Sequence, residues 1–110
     1  MSLHWYVLRS KPHKEEALSR YSKSQGYEIF FPTLLVKPVN PRASRIQPYF
    51  PGYLFVHSDL HVTGESIFHW RPLSQGLVNV GGGPASVPDP IIHAIRSRVG
   101  EIRDKGGLAP

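Results

Sequence analysis

The segment that most constrains the fold is a strand that is apolar on both faces. Pro51 and Gly52 predict a turn, and Tyr53-Leu54-Phe55-Val56 follow directly. Because side chains alternate along a strand, Tyr53 and Phe55 share one face and Leu54 and Val56 share the other. A strand with one solvated face would carry polar residues there. The sheet must therefore be covered on both sides, and another protein is one candidate for part of that cover.

Composition limits the chain to one globular domain. It has 110 residues, of which 40% are hydrophobic and 19% charged, and this length allows a single core. The absence of cysteine excludes disulfides and thiolate metal sites and is compatible with a reducing cytoplasm. No apolar run is long enough to span a membrane, and the first residues lack a signal-peptide pattern. The net charge of +5 suggests contact with a polyanion.

The first third of the chain predicts a strand, a helix and a second strand. Residues 4–9 and 27–31 are rich in aromatic and β-branched residues, which is typical of strands. Between them, Ser10 offers a helix cap and Gly26 a stop. The helical spacing predicts that Ala17, Leu18 and Tyr21 form its buried stripe.

The remaining elements follow from proline, glycine and apolar spacing. Residues 32–48 hold several prolines and basic residues, which predicts a projecting basic arm whose segments 34–36 and 44–46 could pair as a ribbon. We expect strands at 53–58 and 77–80, helical turns at 65–70, and a turn at 81–84. Asp89 followed by Pro90 predicts a helix start. The spacing of the helix then predicts a buried stripe of Ile91, Ile95, Val99 and Ile102.

No catalytic or metal-binding constellation is visible. His57 and His61 lie four apart across a strand end, without a carboxylate or cysteine to complete a ligand set. Gly81-Gly82-Gly83 precedes a proline, so it is a poor phosphate cradle. No nucleophile elbow is present. We therefore expect no enzyme, no metal and no cofactor.

The basic and aromatic residues each allow two interpretations. Basic residues near the first helix could contact phosphates, or they could form a solvated helix edge. The aromatic residues could simply be core, as most are. However, the predicted helices cover one sheet face well and the other poorly, and a leftover apolar patch on a small domain usually marks a partner site. The aromatic residues concerned are Phe30, Phe31, Phe50, Tyr53, Phe55, Phe68 and Trp70.

At this point the motifs resemble the N-terminal (NGN) domain of NusG-type transcription elongation factors. The order and spacing match over nearly the whole chain, and the combination of the aromatic-Pro-Gly-Tyr strand with the Pro-Ala-x-Val-Pro turn is specific. The compact loops are more similar to the specialised RfaH-like antitermination paralogues than to housekeeping NusG. The matching segments are Trp5-Tyr6-Val7-Leu8, Lys11-Pro12-His13-Lys14-Glu15, Phe50-Pro51-Gly52-Tyr53-Leu54-Phe55-Val56, Trp70-Arg71, Val78-Asn79-Val80-Gly81-Gly82 and Pro84-Ala85-Ser86-Val87-Pro88-Asp89.

The resemblance implies an α/β (α+β) fold with an antiparallel sheet of about four strands flanked by helices. It also implies binding to RNA polymerase, through the clamp helices of the largest subunit and the gate loop of the second-largest subunit. Bridging the two would hold the cleft closed around DNA and disfavour pausing. The positions that match the clamp-helix contact are Phe50, Tyr53, Phe55 and Val80. The positions that match the gate-loop contact are Gly64, Glu65, Ser66 and Ile67.

In the RfaH-like paralogues a basic face reads the non-template DNA strand, and the matching positions here are Lys11, His13, Lys14 and Arg71. Pro12 and Pro72 stand where such a paralogue carries polar or basic groups, so non-specific phosphate contact is expected rather than base-specific reading. Residues 1–105 should form the NGN domain, and residues 106–110 the start of a linker to a KOW-type domain. We expect a monomer in the bacterial cytoplasm.

Two alternatives stay open on the residues alone. A single-stranded nucleic-acid-binding module would use Tyr53 and Phe55 to stack bases without polymerase, with strong salt dependence. A structural or ribosome-associated domain would bury both side chains in its core, so that truncating Tyr53 would unfold it.

Overall fold

The computed structural model describes residues 3–36, 46–64, 68 and 73–105. The predicted α+β class with an antiparallel sheet and flanking helices is confirmed. The described strands are β1 (His4–Ser10), β2 (Glu28–Phe30), β3 (Thr33–Leu35), β4 (Ile46–Pro48), β5 (Tyr53–Ser58), β6 (Ser74–Leu77), β7 (Asn79–Val80), β8 (Gly83–Pro84) and β9 (Ser86–Val87). The described helices are α1 (Glu15–Ser24), α2 (Leu60–Thr63) and α3 (Asp89–Asp104).

The main sheet has the order β2-β5-β1-β6, and β9 shares the β6 edge of β1. All of its pairings are antiparallel. In the register, Phe55 lies opposite Val7 on one side and Phe30 on the other, and Tyr53 lies opposite Arg9. Strand β5 therefore has a paired strand on both sides from Phe55 to His57, as expected of a strand that is apolar on both faces.

Helix α1 covers the sheet face that carries Leu54 and Val56. Leu18 is fully buried against these two residues. The predicted stripe of Ala17, Leu18 and Tyr21 is only partly right, because Ala17 and Tyr21 are exposed. The buried positions of α1 are Glu15, Leu18, Ser19 and Ser22. Two serines on the buried side allow the helix to pack closely on the sheet, and the Ser22 hydroxyl donates to the Leu18 carbonyl at 2.7 Å.

The predicted helix cap of α1 is also wrong. Ser10 ends β1, and its hydroxyl donates to the Lys11 carbonyl at 2.7 Å. A four-residue turn separates it from the helix, whose cap position is Lys14. Gly26 does end the helix as predicted, because its φ of 92° lies in the left-handed region.

Helix α3 covers the opposite face, where Trp5, Phe55 and Ile92 form the buried cluster. The helix starts at Asp89 with Pro90 in its first turn, as predicted. The predicted stripe is wrong at its first position, because Ile91 is 50% exposed whereas Ile92 is 2% exposed. We expected one sheet face to be poorly covered. Helix α3 covers the middle of the Phe55 face, so only the end of that face at Tyr53 is open.

Two short antiparallel pairs lie outside the main sheet. Strand β3 pairs with β4, with Leu35 opposite Ile46, so the ribbon joins residues 33–35 to 46–48 rather than 34–36 to 44–46 as predicted. Strands β7 and β8 pair around Gly81-Gly82. The predicted strand 77–80 is interrupted at Val78, whose N–H donates to the Val7 carbonyl at 2.8 Å.

Several predicted features lie outside the described residues. These are the tip of the basic arm with Lys37, Arg42 and Arg45, most of the helical turns at 65–70, and the linker at 106–110. Phe68 is described and is fully buried in the Leu54 cluster, in edge contact with Tyr27.

Neighbouring isoleucines of α3 provide a test of the helix orientation. Ile92→Ala should lower the free energy of unfolding by about 2–5 kcal/mol, because it removes buried methyl groups and leaves a cavity. Ile91→Ala should change it by less than about 0.5 kcal/mol, as surface substitutions usually do. Urea unfolding followed by circular dichroism measures both, and similar values for the two variants would contradict the orientation described.

Candidate partner-binding surface

A tight turn places the aromatic residues at the start of β5. The Tyr53 N–H donates to the Phe50 carbonyl at 3.0 Å, which closes a four-residue turn with Pro51 and Gly52 at its centre. Gly52 has a φ of 90°, so the turn is of type II, in which proline at the second position and glycine at the third are favoured. The Pro-Gly pair seen in the sequence thus determines the direction in which Phe50 and Tyr53 leave the sheet.

Two hydrogen bonds hold this turn to the rest of the domain. The Ser10 N–H donates to the Gly52 carbonyl at 2.8 Å. The Gly52 N–H donates to the buried Glu15 carboxylate at 3.0 Å. The Gly52 peptide is therefore fixed between the end of β1 and the first residue of α1. The sequence pattern alone did not predict this contact.

The structure brings three of the four predicted clamp-helix residues together. Tyr53 is 36% exposed and Phe55 is 7% exposed, so only Tyr53 offers its ring to a partner directly. Phe50 is half-buried and packs edge-on against Phe55, with ring centroids 6.0 Å apart. Phe55 supports the surface from beneath rather than forming it. Val80 lies apart on the β7–β8 hairpin, on the far side of β1, and is 70% exposed.

Helix α3 explains why Phe55 is covered and Tyr53 is not. The Arg96 guanidinium lies 4.7 Å from the Phe30 ring centroid and 5.8 Å from the Trp5 ring centroid. On the same face, His57 stacks on Trp5 with ring centroids 4.6 Å apart and lies 2.8 Å from the Glu28 carboxylate. These contacts close the face at the end of β5 that carries His57. The open part begins at Tyr53, and we call Phe50 and Tyr53 the open aromatic surface, which Phe55 supports from beneath.

The predicted nucleic-acid residues Lys11, His13 and Lys14 share one turn between β1 and α1. The Lys14 N–H donates to the Lys11 carbonyl at 3.1 Å, with Pro12 and His13 at the centre of the turn. His13 has a φ of 60°, which is uncommon for a residue other than glycine. This backbone exposes the His13 and Lys14 side chains, whereas Lys11 is half-buried. Arg71 lies outside the described residues.

A groove of about 1250 Å³ joins this basic turn to the open aromatic surface. One side is largely apolar, with Phe31, Ile46 and Pro48, and the other carries charged residues of α1. Three further basic residues line the groove, namely Arg9, Arg20 and Lys23. Of these, Arg20 is paired with Glu16 at 2.7 Å.

Only Gly64 of the predicted gate-loop segment is described. It follows α2 with a φ of 76°, and its N–H donates to the Leu60 carbonyl at 2.8 Å. Glu65, Ser66 and Ile67 lie outside the described residues. Helix α2 follows the end of β5 that is remote from Tyr53, so Gly64 and Tyr53 lie toward opposite ends of that strand.

Within the described ranges, no group of His, Asp or Glu side chains is arranged to hold a metal ion. Among the same residues, no helix is long and apolar enough to cross a membrane.

The comparison with protein families decides the identity. The family model described as NusG, transcription termination factor nusG, matches residues 3–96. This chain belongs to the NusG family. Members of the family act in transcription elongation and termination and interact with RNA polymerase, and the family is one of transcription factors rather than enzymes.

A solved structure described as "Domain interaction in Thermotoga maritima NusG" has the same fold, with a TM-score of 0.56 and 23% sequence identity. The match covers 86% of this chain and 56% of the Thermotoga chain. This chain therefore spans little more than half the length of that NusG.

The contact between Glu15 and Gly52 can be tested with its neighbour as a control. Glu15→Ala should lower the free energy of unfolding by about 2 kcal/mol, because it removes a charged acceptor and leaves a partly buried N–H without a partner. Glu16→Ala removes an exposed ion pair and should cost less than about 1 kcal/mol. Glu15→Gln, which keeps an acceptor oxygen, should recover part of the loss in urea unfolding. Equal losses for the Glu15 and Glu16 variants would contradict the role of the buried carboxylate.

Proposed function

We propose that this domain binds the clamp helices of the RNA polymerase largest subunit with its open aromatic surface. The observation that supports the proposal is the uneven cover of the α3 face, which leaves Tyr53 exposed directly beside a buried aromatic cluster. An exposed aromatic ring backed by packed rings can bury apolar area on binding without first rearranging, which keeps the cost of ordering low.

The shape of the surface suits a helical partner. Helix α3 bounds the face on which Phe50 and Phe55 pack, and the open aromatic surface begins where the cover of the helix ends. A partner helix can then place its apolar side on the aromatic rings, as in other helix-in-groove complexes. Val80, on the β7–β8 hairpin, would contact the rim of such a partner, and Phe55 would keep the rings above it in place.

A second contact at Gly64, Glu65, Ser66 and Ile67 would reach the gate loop of the second-largest subunit. Strand β5 and helix α2 separate Gly64 from Tyr53 along the chain, and the six residues of β5 span about 20 Å at the usual rise of a strand. A rigid strand between two contacts would favour the polymerase conformation in which clamp and gate loop stand at that separation. The domain would thereby stabilise the closed, pause-resistant elongation complex by differential binding.

Lys11, His13, Lys14 and Arg71 would contact the phosphates of the non-template DNA strand. The first three lie on the turn that is joined to the open aromatic surface through the Ser10–Gly52 hydrogen bond. Polymerase and DNA could thus be held by adjoining parts of one rigid unit. Such contacts position the protein without reading sequence.

The finer assignments extend this proposal. These assignments rest on the compact loops and on the resemblance alone. They are an RfaH-like antitermination role, recruitment to particular operons and a KOW-type domain after residue 105. A factor that binds polymerase would act in the bacterial cytoplasm, at the nucleoid, and would need no cofactor and no second copy of itself.

The alternative of a polymerase-independent single-strand binder has less support. That function needs exposed rings on the sheet, whereas Phe55 is 7% exposed beneath α3.

The decisive experiment compares Tyr53→Ala with Val62→Ala in binding to bacterial core RNA polymerase. Tyr53→Ala should weaken binding at least about tenfold, because buried aromatic residues dominate interface energies. Its free energy of unfolding should fall by much less than the roughly 3–5 kcal/mol typical of a core aromatic residue, because its ring is partly exposed. Val62, which is highly exposed on α2 at the other end of β5, should tolerate alanine without effect on clamp binding.

The outcomes separate the candidate functions. The proposal is supported if Tyr53→Ala abolishes binding to wild-type polymerase and if substitutions in the clamp helices abolish binding of the wild-type domain. A Tyr53→Ala domain that unfolds would favour a structural role for the ring. A wild-type domain that does not bind polymerase but binds single-stranded DNA would favour the nucleic-acid-binding module.

The nucleic-acid contact predicts a salt effect. The double variant Lys11→Gln, Lys14→Gln should bind single-stranded DNA more weakly, and the slope of log K against log salt should become shallower by about 0.7 for each phosphate that is no longer neutralised. The single variants Lys11→Gln and Lys14→Gln are each compared with Lys105→Gln, which removes the same charge at the end of α3. Fluorescence anisotropy over a salt series measures the slope, and an unchanged slope would remove these lysines from the DNA-binding face.

A further inference from the structure

Arg9 occupies the position on β1 directly beside Tyr53. The register places the two residues opposite each other, and residues paired in this way have side chains on the same face at about 4.5–5.5 Å between their Cβ atoms. Trp5 and Val7, which share the side of β1 with Arg9, pack into the Phe55 cluster under α3. Arg9 therefore belongs to the same face as the open aromatic surface, at its uncovered end.

The surroundings of Arg9 leave its charge without a partner among the described residues. Its other neighbour in the sheet is Gly76, which brings no side chain. Two carboxylates line the same groove, but Glu15 accepts from Gly52 and Glu16 pairs with Arg20. By contrast, Arg96 on the covered part of the face lies over two aromatic rings.

A partner that covers Tyr53 must also cover Arg9. Removing water from an unpaired guanidinium is costly, whereas a carboxylate placed against it replaces the hydrogen bonds that water made. The planar fork of arginine accepts a carboxylate in a two-point contact that a lysine could not reproduce.

We propose that Arg9 is a specificity-determining residue of this surface, and that it pairs with a carboxylate on the helical partner next to the apolar residues that cover Tyr53. This inference rests on the proposed function and adds the chemistry of the partner, which is an amphipathic helix pair with an acidic residue beside its apolar strip. Apolar contact with Tyr53 supplies affinity. The ion pair rejects helices that lack the acidic residue, because binding them would bury Arg9 unpaired.

The test is a charge exchange between the chain and core RNA polymerase. Arg9→Gln should weaken binding about 30-fold, as expected when one partner of a desolvated ion pair is removed, and Arg9→Glu should weaken it further because it places two carboxylates together. Each acidic residue on the clamp helices is then replaced by lysine in turn. One of these polymerase variants should bind wild-type chain weakly and restore binding to Arg9→Glu.

Arg103→Glu is the matched control, since it makes the same charge change near the exposed end of α3. It should leave affinity nearly unchanged, and urea unfolding should show that all variants are folded. Equal weakening by Arg9→Glu and Arg103→Glu, or no rescue by any polymerase variant, would overturn the ion pair. If Tyr53→Ala abolishes binding while Arg9→Glu does not, the proposed function stands and this inference is wrong. If the wild-type chain does not bind polymerase, both are wrong.

Discussion

The hydrogen-bonded Gly52 peptide is the contact on which the proposed binding end of this domain depends. Its carbonyl is held by Ser10 and its N–H by the Glu15 carboxylate, so one peptide joins the end of β1, the start of α1 and the start of β5. Phe50 and Tyr53 flank that peptide, and the basic turn lies between its two partners. The aromatic and basic surfaces therefore share one rigid support, although they lie far apart in the sequence.

Uneven cover of the sheet leaves the open aromatic surface exposed beside this support. Packing of α1 closes the Leu54 face, and α3 closes the Phe55 face with Ile92 and Arg96. Tyr53 and Arg9 stay exposed beyond the cover of α3, and they line a groove with residues of α1. A cation and an aromatic ring are left side by side at the open end, and this combination favours a partner that is both apolar and acidic. NusG-family membership supplies RNA polymerase as the natural candidate.

Much of the fold could be predicted because it depends on local patterns. A continuous apolar run located β5, the Pro-Gly pair located its turn, and Asp89-Pro90 located the start of α3. Predictions of helix faces were less successful. Ala17 and Tyr21 were expected in the core, where Ser19 and Ser22 lie instead, and Ile91 was expected in place of Ile92. Small polar residues can be buried when their hydroxyls donate to helix carbonyls. A prediction based on the spacing of apolar residues cannot identify such buried positions.

The sequence by itself determined the class of fold, the family and the aromatic strand, because strand alternation, turn chemistry and motif spacing are properties of neighbouring residues. Only the tertiary structure decided which aromatic residues are available to a partner. The alternation of the strand places Phe55 and Tyr53 on the same face. Helix α3 nevertheless covers Phe55 and leaves Tyr53 partly exposed. The pairing of Tyr53 with Arg9 and of Glu15 with Gly52 likewise depends on sheet register and helix packing, which bring together residues that are more than thirty positions apart.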